Sequence, residues 1–309
     1  MAAANRVLWQ DELGDRKVLV KVQAWAMNPC DSILQTTALP FVKYPVILGK
    51  TSRARVGDRV FGFTANNGFQ DYVPLDYTLM AKIPSADMPY RDAVIFGLCT
   101  TTSSFSLFGK DYLHLEFPKL GATKTGKSVL VWGGSSAAGS NAIQMATGAG
   151  YDVITTCSPR NFDYVKGLGA VKAFDYNSPT VVQDVVAKLD KGECTGIYMA
   201  AGSNAAACQV SAASKKKLFV ASSNPMAPTD IPEGVEAKFT FGAGIGPEAF
   251  AETLPATFGG YLPEALAKGV YKIAPSPQVV NRKGLDGVQE ALDILKNGTS
   301  AVKLVVEHS

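Results

Sequence analysis

Residues 128–139 of this 309-residue chain read Ser-Val-Leu-Val-Trp-Gly-Gly-Ser-Ser-Ala-Ala-Gly. A short apolar run enters a turn of small residues. A helical pattern follows, in which Ala142, Ile143, Met145 and Ala146 share one face. Such a turn lets backbone N–H groups and the positive end of the helix approach a pyrophosphate with no Cβ in the way. The candidate contacts are Gly133, Gly134, Ser135, Ser136 and Gly139. The strict G-x-G-x-x-G spacing is not met, because Ser135 stands where the middle glycine is usual. An ordinary strand–turn–helix packed with small residues has the same appearance, so the turn alone leaves both readings open.

The segment that follows favours the dinucleotide. A second strand over 152–157 ends about 20 residues beyond the turn, where a ribose-reading residue belongs. An NAD enzyme usually places a carboxylate there. This chain has Thr155-Thr156-Cys157-Ser158-Pro159-Arg160-Asn161, with no acid to repel a 2′-phosphate. Ser158 and Asn161 can donate hydrogen bonds and Arg160 can pair with a phosphate. The expected cofactor is therefore NADPH rather than NADH. A solvated arginine at a helix start is the alternative for Arg160.

The elements around these residues set the frame. The length exceeds one typical domain, which makes two domains the natural division. Hydrophobic residues at 47% and charged residues at 18% describe a well-buried globular protein. The net charge of +3 is small and scattered, which argues against a nucleic-acid partner. Lys215-Lys216-Lys217 is the one basic run and reads as a loop before a strand over 218–221. Residues up to about 93 read as short strands broken by turns, the clearest a single strand over 17–26. Residues 94–247 alternate strand and helix, with later strands at 173–176, 196–201 and 218–221, which predicts a parallel doubly wound sheet. Beyond 248 the pattern gives a helix near 263–269, a strand near 278–280, a helix over 287–297 and a strand over 302–306. Cys30, Cys99, Cys157, Cys194 and Cys208 form neither a disulfide framework nor a C-x-x-C knuckle, so a reducing cytoplasmic setting is expected. No signal core and no apolar run of membrane-spanning length is present, and no membrane partner is expected.

With these pieces in order, the chain resembles a medium-chain dehydrogenase/reductase of the zinc-independent, quinone-oxidoreductase-like branch. Within that branch it is most similar to fungal trans-acting enoyl reductases. The resemblance rests on Asn28-Pro29-Cys30-Asp31, Tyr44-Pro45-Val46-Ile47-Leu48-Gly49, Val56-Gly57-Asp58-Arg59-Val60-Phe61-Gly62 and Phe69-Gln70-Asp71-Tyr72-Val73. It continues through Gly97-Leu98-Cys99-Thr100, the glycine turn, Thr156-Cys157-Ser158-Pro159-Arg160-Asn161-Phe162, Phe174-Asp175-Tyr176 and the helix from Gly287.

The resemblance implies a Rossmann NADPH-binding domain over 94–247 and a GroES-like β-barrel catalytic domain from 1–93 and 248–309. It implies hydride transfer from NADPH to an activated C=C bond in the cleft between them. By position, Gly133 to Ser136 and Gly139 would face the pyrophosphate. Ser158 and Arg160 would face the 2′-phosphate, with Tyr176 beside the adenosine. Thr100 would lie near the nicotinamide, and Asn28 and Asp31 would shape the cleft floor. On residues alone, Asn28-Pro29 is equally a turn, Thr100 a helix residue and Tyr176 a packed aromatic.

A catalytic zinc needs about three converging Cys, His or acidic ligands. Here only Cys30 lies near the expected place, and His114 and His308 fall in no matching motif, so no metal is expected. Relatives often carry a lysine two residues after the Asn-Pro-x-Asp aspartate; this chain has Ile33. Residues 50–55 replace roughly a dozen more in the family pattern, so the barrel is expected to lack a strand. The substrate is expected to be a small molecule or an acyl chain on a polyketide synthase carrier, with Arg53, Arg55 and Arg59 as candidate carrier contacts. The alternatives are a quinone or enone reductase, and a degenerate NADPH-binding protein with little turnover. Both a monomer and a homodimer are compatible with the sequence.

Overall fold

A computed structural model describes residues 17–36, 58–64, 68–240 and 251–308. The expectations for residues 44–49, for the shortened stretch 49–56 and for Arg53 and Arg55 lie outside the described residues.

The N-terminal part supplies β1 (Lys17–Lys21), β2 (Ala24–Ala26), helix α1 (Pro29–Thr36), β3 (Val60–Gly62), β4 (Tyr72–Asp76) and β5 (Met80–Lys82). The stretch read as one strand over 17–26 is two. β1 pairs antiparallel with β4, whereas β2 joins a different sheet. The reason is a bend at Gln23, which carries the chain from one sheet to the other. Ala24, Trp25 and Ala26 are all buried beyond it, so β2 is covered on both faces. The Trp25 indole N–H donates to the Gly68 carbonyl at 2.8 Å, satisfying the one polar group that its burial would strand.

Helix α2 (Gly97–Phe108) leads into the larger layer. There follow β6 (Lys127–Trp132), α3 (Ala137–Gly148), β7 (Asp152–Cys157), α4 (Phe162–Gly167), β8 (Ala170–Asp175), α5 (Val181–Leu189), β9 (Glu193–Met199), α6 (Asn204–Ala213), β10 (Val220–Ser222) and β11 (Ala237–Phe239). All six strands are parallel, in the order β8-β7-β6-β9-β10-β11. That is the 3-2-1-4-5-6 doubly wound order, with its switch point between β6 and β9. Val129, Leu130 and Val131 are fully buried because helices cover both faces of the sheet. Burying each such side chain stabilises the fold by about 1.5–3 kcal/mol. Ala142, Ile143, Met145 and Ala146 are likewise fully buried on the sheet-facing side of α3. The lysines 215–217 lie in the loop before β10, as their charge predicts.

The C-terminal part holds α7 (Leu262–Ala267), β12 (Ser276–Val279), α8 (Gly284–Lys296) and β13 (Val302–Glu307). β13 pairs parallel with β12 and antiparallel with β2, so the two ends of the chain share one sheet. A second core, including Val20, Trp25, Val73, Leu75, Ala291, Leu304 and Val306, fills the space between these strands and α8.

Candidate active site

The glycine turn leaves β6 at the switch point of the sheet. Gly133 has φ +81°, a conformation that side chains rarely adopt. A Cβ there would lie 2.4 Å from the Ala201 carbonyl oxygen. At Gly134 it would meet Thr155 Oγ1 at 2.1 Å, and at Gly139 the Gly133 carbonyl oxygen at 2.3 Å. These glycines let the turn close on β7 and β9 and let α3 start directly above it. One threonine of β7 holds the turn from below: Gly133 N–H donates to Thr156 Oγ1 at 3.0 Å and Gly134 N–H to the Thr156 carbonyl at 2.9 Å. Ser136 caps α3, its Oγ accepting from Gly139 N–H at 3.0 Å and donating to the Gly133 carbonyl at 2.8 Å. Ser135 is half-buried at the outer corner of the turn. The result is a side-chain-free cradle facing a helix start, whose N–H groups and dipole suit a pyrophosphate. The residues present therefore fit the phosphate portion of a dinucleotide.

The ribose segment sits at the end of the neighbouring strand β7. Ser158 Oγ and Tyr176 OH lie 3.0 Å apart, so both polar groups border one place. Tyr176 is 45% exposed and is not a packed core aromatic. Arg160 is exposed and makes no ion pair with a described residue. Asn161 is turned inward, its amide donating to Ser300 Oγ at 3.1 Å, so it braces the C-terminal region rather than facing outward. One carboxylate invisible to the local reading does approach: Asp175 pairs in register with Cys157 across β7 and β8. Its Oδ1 accepts from the Asn177 backbone N–H at 3.0 Å and the Asn177 amide at 3.2 Å. Burial, followed by the nearby Asp175 charge, pushes the Cys157 thiol up to about 11, so it is unreactive near neutral pH.

Thr100 lies on α2, fully buried, and donates to Asn141 Oδ1 at 2.9 Å. The same oxygen accepts from Tyr271 OH at 2.8 Å, while the Asn141 amide donates to the Ala137 carbonyl at 2.7 Å. This network ties α2, the first turn of α3 and the C-terminal segment together immediately below the phosphate cradle. Neither Asn141 nor Tyr271 was singled out from sequence. Asn141 is one of three buried polar residues of α3, with Ser140 and Gln144, so polarity alone did not single it out.

Asn28 and Asp31 form a compact buried turn at the start of α1. Asp31 Oδ2 accepts from the Asn28 backbone N–H at 2.9 Å and from its amide at 3.1 Å. Asn28 Oδ1 in turn accepts from Lys303 Nζ at 2.6 Å. Lys303 too was passed over, although it interrupts the apolar run of the last strand. The structure thus places Thr100 and the Asn28–Asp31 turn in two separate hydrogen-bonded networks. Among the described residues no cluster of three or more His, Cys, Asp or Glu side chains is arranged to hold a metal. Arg59 is already engaged, which corrects its reading as a carrier contact. It donates to the carbonyls of Ser85, Ala86 and Met88 and stacks on Tyr90 at 4.4 Å.

Two tyrosines, the half-buried Tyr164 and the buried Tyr271, flank the cradle. Burial pushes Tyr164 up to about 12, opposed by its bond to Ser140 Oγ, and raises Tyr271 well above the ordinary tyrosine value. Above pH 10 the unfolded chain loses these protons while the folded chain keeps them. Stability must then fall as pH climbs from about 10 towards 12. Thermal unfolding across that window checks it: Tyr164→Phe is expected to flatten part of the decline, and an unchanged slope would contradict the assignment.

No family model matches the chain. A dehydrogenase from Aspergillus niger is 40% identical over 324 residues, covering 95% of this chain and 92% of its own. A trans-enoyl reductase from Aspergillus japonicus is 31% identical over 318 residues, covering 95% and 90%. A quinone oxidoreductase from Pseudomonas syringae superposes with a TM-score of 0.70 at 20% identity, over 94% of this chain and 92% of that one. A mycobacterial protein solved with NADPH gives 0.70 at 20% identity, over 95% and 92%.

Proposed function

The chain belongs to the quinone-oxidoreductase-like medium-chain dehydrogenases/reductases, with fungal dehydrogenases and trans-enoyl reductases among its relatives, and on that premise we propose that this oxidoreductase uses NADPH to reduce an α,β-unsaturated polyketide thioester in secondary metabolism. The observation that carries the reading is the side-chain-free cradle at the switch point, beside a ribose segment with an exposed arginine. The full-length likeness to a trans-enoyl reductase supports the substrate class. In this reading residues 94–247 form the cofactor domain, and 1–93 with 248–309 the catalytic domain.

When bound, NADPH supplies a hydride for the β-carbon of the activated alkene. Gly133, Gly134 and Gly139 leave room for the pyrophosphate against the backbone, Ser135 and Ser136 border it, and the α3 dipole faces it. Ser158, Arg160 and Tyr176 hold the 2′-phosphate and the adenosine, with Asn161 fixing their loop through Ser300. Thr100, locked by Asn141, sets the packing behind the nicotinamide. Asn28 and Asp31 shape the floor on which the substrate carbonyl rests. The enzyme is assigned to the cytoplasm; among the described residues no helix is long and apolar enough to cross a membrane.

A quinone or enone is the second reading. It is favoured by Ile33, a 49% exposed apolar residue where relatives often carry a lysine. Oxidation of NADPH by the purified protein, with an α,β-unsaturated acyl thioester and a quinone compared, separates the two. The expected result is faster turnover of the thioester. Preference for the quinone supports the second reading, and binding of NADPH without turnover of either contradicts both.

A further inference from the structure

Lys303 is 3% exposed, an unusual place for a lysine, and the reason lies in the register of the last strand. Side chains alternate along β13: Leu304 and Val306 enter the core beneath α8, while Val305 enters the core shared with the larger sheet. Lys303 lies on the Val305 side. There its Nζ donates to Asn28 Oδ1 at 2.6 Å and to Cys99 Sγ at 3.2 Å. Cys99 directly precedes Thr100 on α2.

Asn28 is thereby held at every polar atom of its side chain. Its carbonyl oxygen faces the lysine, and its amide donates to the Ala26 carbonyl at 3.1 Å and to Asp31 Oδ2 at 3.1 Å. Only one orientation of the amide satisfies all three contacts, since a lysine donates and a carboxylate accepts. The buried Asp31 and Lys303 are thus bridged by one amide, whose dipole is aligned between them.

We propose that Lys303 is a positioning residue for the reduction, fixing the Asn28 amide and locking the Asn28–Asp31 turn to the Cys99–Thr100 step of α2. The inference rests on the proposed reading of that turn as the floor of the substrate site. It assigns to the last strand a part in the reaction that nothing in the local sequence of either motif shows. Removing the lysine lets the amide turn over and leaves the 3.7 Å contact of Cys99 Sγ to Asn28 Oδ1 to tie the floor to α2, with the phosphate cradle untouched.

Lys303→Met keeps the chain length of the side chain and removes its donors. Because it removes a buried positive charge from the network that holds the Asp31 carboxylate, Asp31→Asn/Lys303→Met is made beside it. The expected result in both is a fall in kcat of roughly tenfold to a hundredfold, as for misplacement of a positioned group by about an ångström. The dissociation constant for NADPH stays within about twofold, because the lysine does not touch the cradle. Deuterium uptake rises in segments 24–32 and 97–104 and is unchanged across 127–140. A double variant with wild-type kcat overturns the proposal, and so does unchanged exchange in the first two segments. If the wild type binds NADPH yet reduces no alkene, the proposed function fails, while the exchange result still decides the role of Lys303.

Discussion

Gly139→Ala is expected to weaken NADPH binding on the order of a hundredfold, the loss of a hydrogen bond to a charged phosphate worth about 1.5–3 kcal/mol. The added methyl would lie 2.3 Å from the Gly133 carbonyl oxygen and 2.7 Å from the Gly134 Cα, both backbone atoms. Neither can swing aside as a side chain could, so α3 must lift away from the turn. Its N–H groups and dipole then leave the pyrophosphate. Overpacking of this kind also costs about 1–3 kcal/mol of stability. Gly167→Ala is the matched control, since a Cβ at that position meets nothing within 4 Å. Fluorescence titration with NADPH compares the two. Equal affinity for both variants would show that the turn does not carry the cofactor.

Arg160→Glu is expected to raise the dissociation constant for NADPH by about a hundredfold and to leave that for NADH within about threefold, from the value of a charge-assisted hydrogen bond. The argument is geometric as well as electrostatic. Arg160 is exposed, is not consumed by an ion pair with a described residue, and stands two residues from Ser158, whose hydroxyl meets Tyr176. A carboxylate in its place would repel the 2′-phosphate and leave the 2′-hydroxyl of NADH unaffected. Titration with both cofactors reads the ratio directly. An unchanged preference would make Arg160 a solvated residue of the loop and move the selectivity elsewhere.

The doubly wound sheet and the glycine turn were legible because their signals are local. An apolar run, small residues at crowded positions and a helical apolar face all fall within 20 residues of one another. The distant partners were not. Asn141 and Lys303 bond to Thr100 and Asn28 across 41 and 275 positions of sequence, and no local pattern encodes such pairings. Asp175 reaches the ribose segment only because β8 pairs with β7. The edge strand β11 escaped because it is three residues long, too short for its alternation to mark a strand. The break in the first strand escaped for the opposite reason: its alternating pattern continues past Gln23 while its hydrogen-bonding partner changes. The residues named from sequence fall in four places: the glycine turn, the segment after β7, Thr100 on α2 and the Asn28–Asp31 turn. Two separate buried networks, through Asn141 and through Lys303, meet α2 at the adjacent residues Thr100 and Cys99.

The central claim is conjugate reduction of a C=C bond, and the position of the transferred hydride tests it most directly. The purified protein would be given an α,β-unsaturated acyl thioester and NADPH deuterated at the nicotinamide C4, and the product analysed by mass spectrometry and NMR. The account predicts a saturated thioester with deuterium on the β-carbon and a solvent proton on the α-carbon. Deuterium on the carbonyl carbon, with the double bond intact, would contradict it and make the protein a carbonyl reductase.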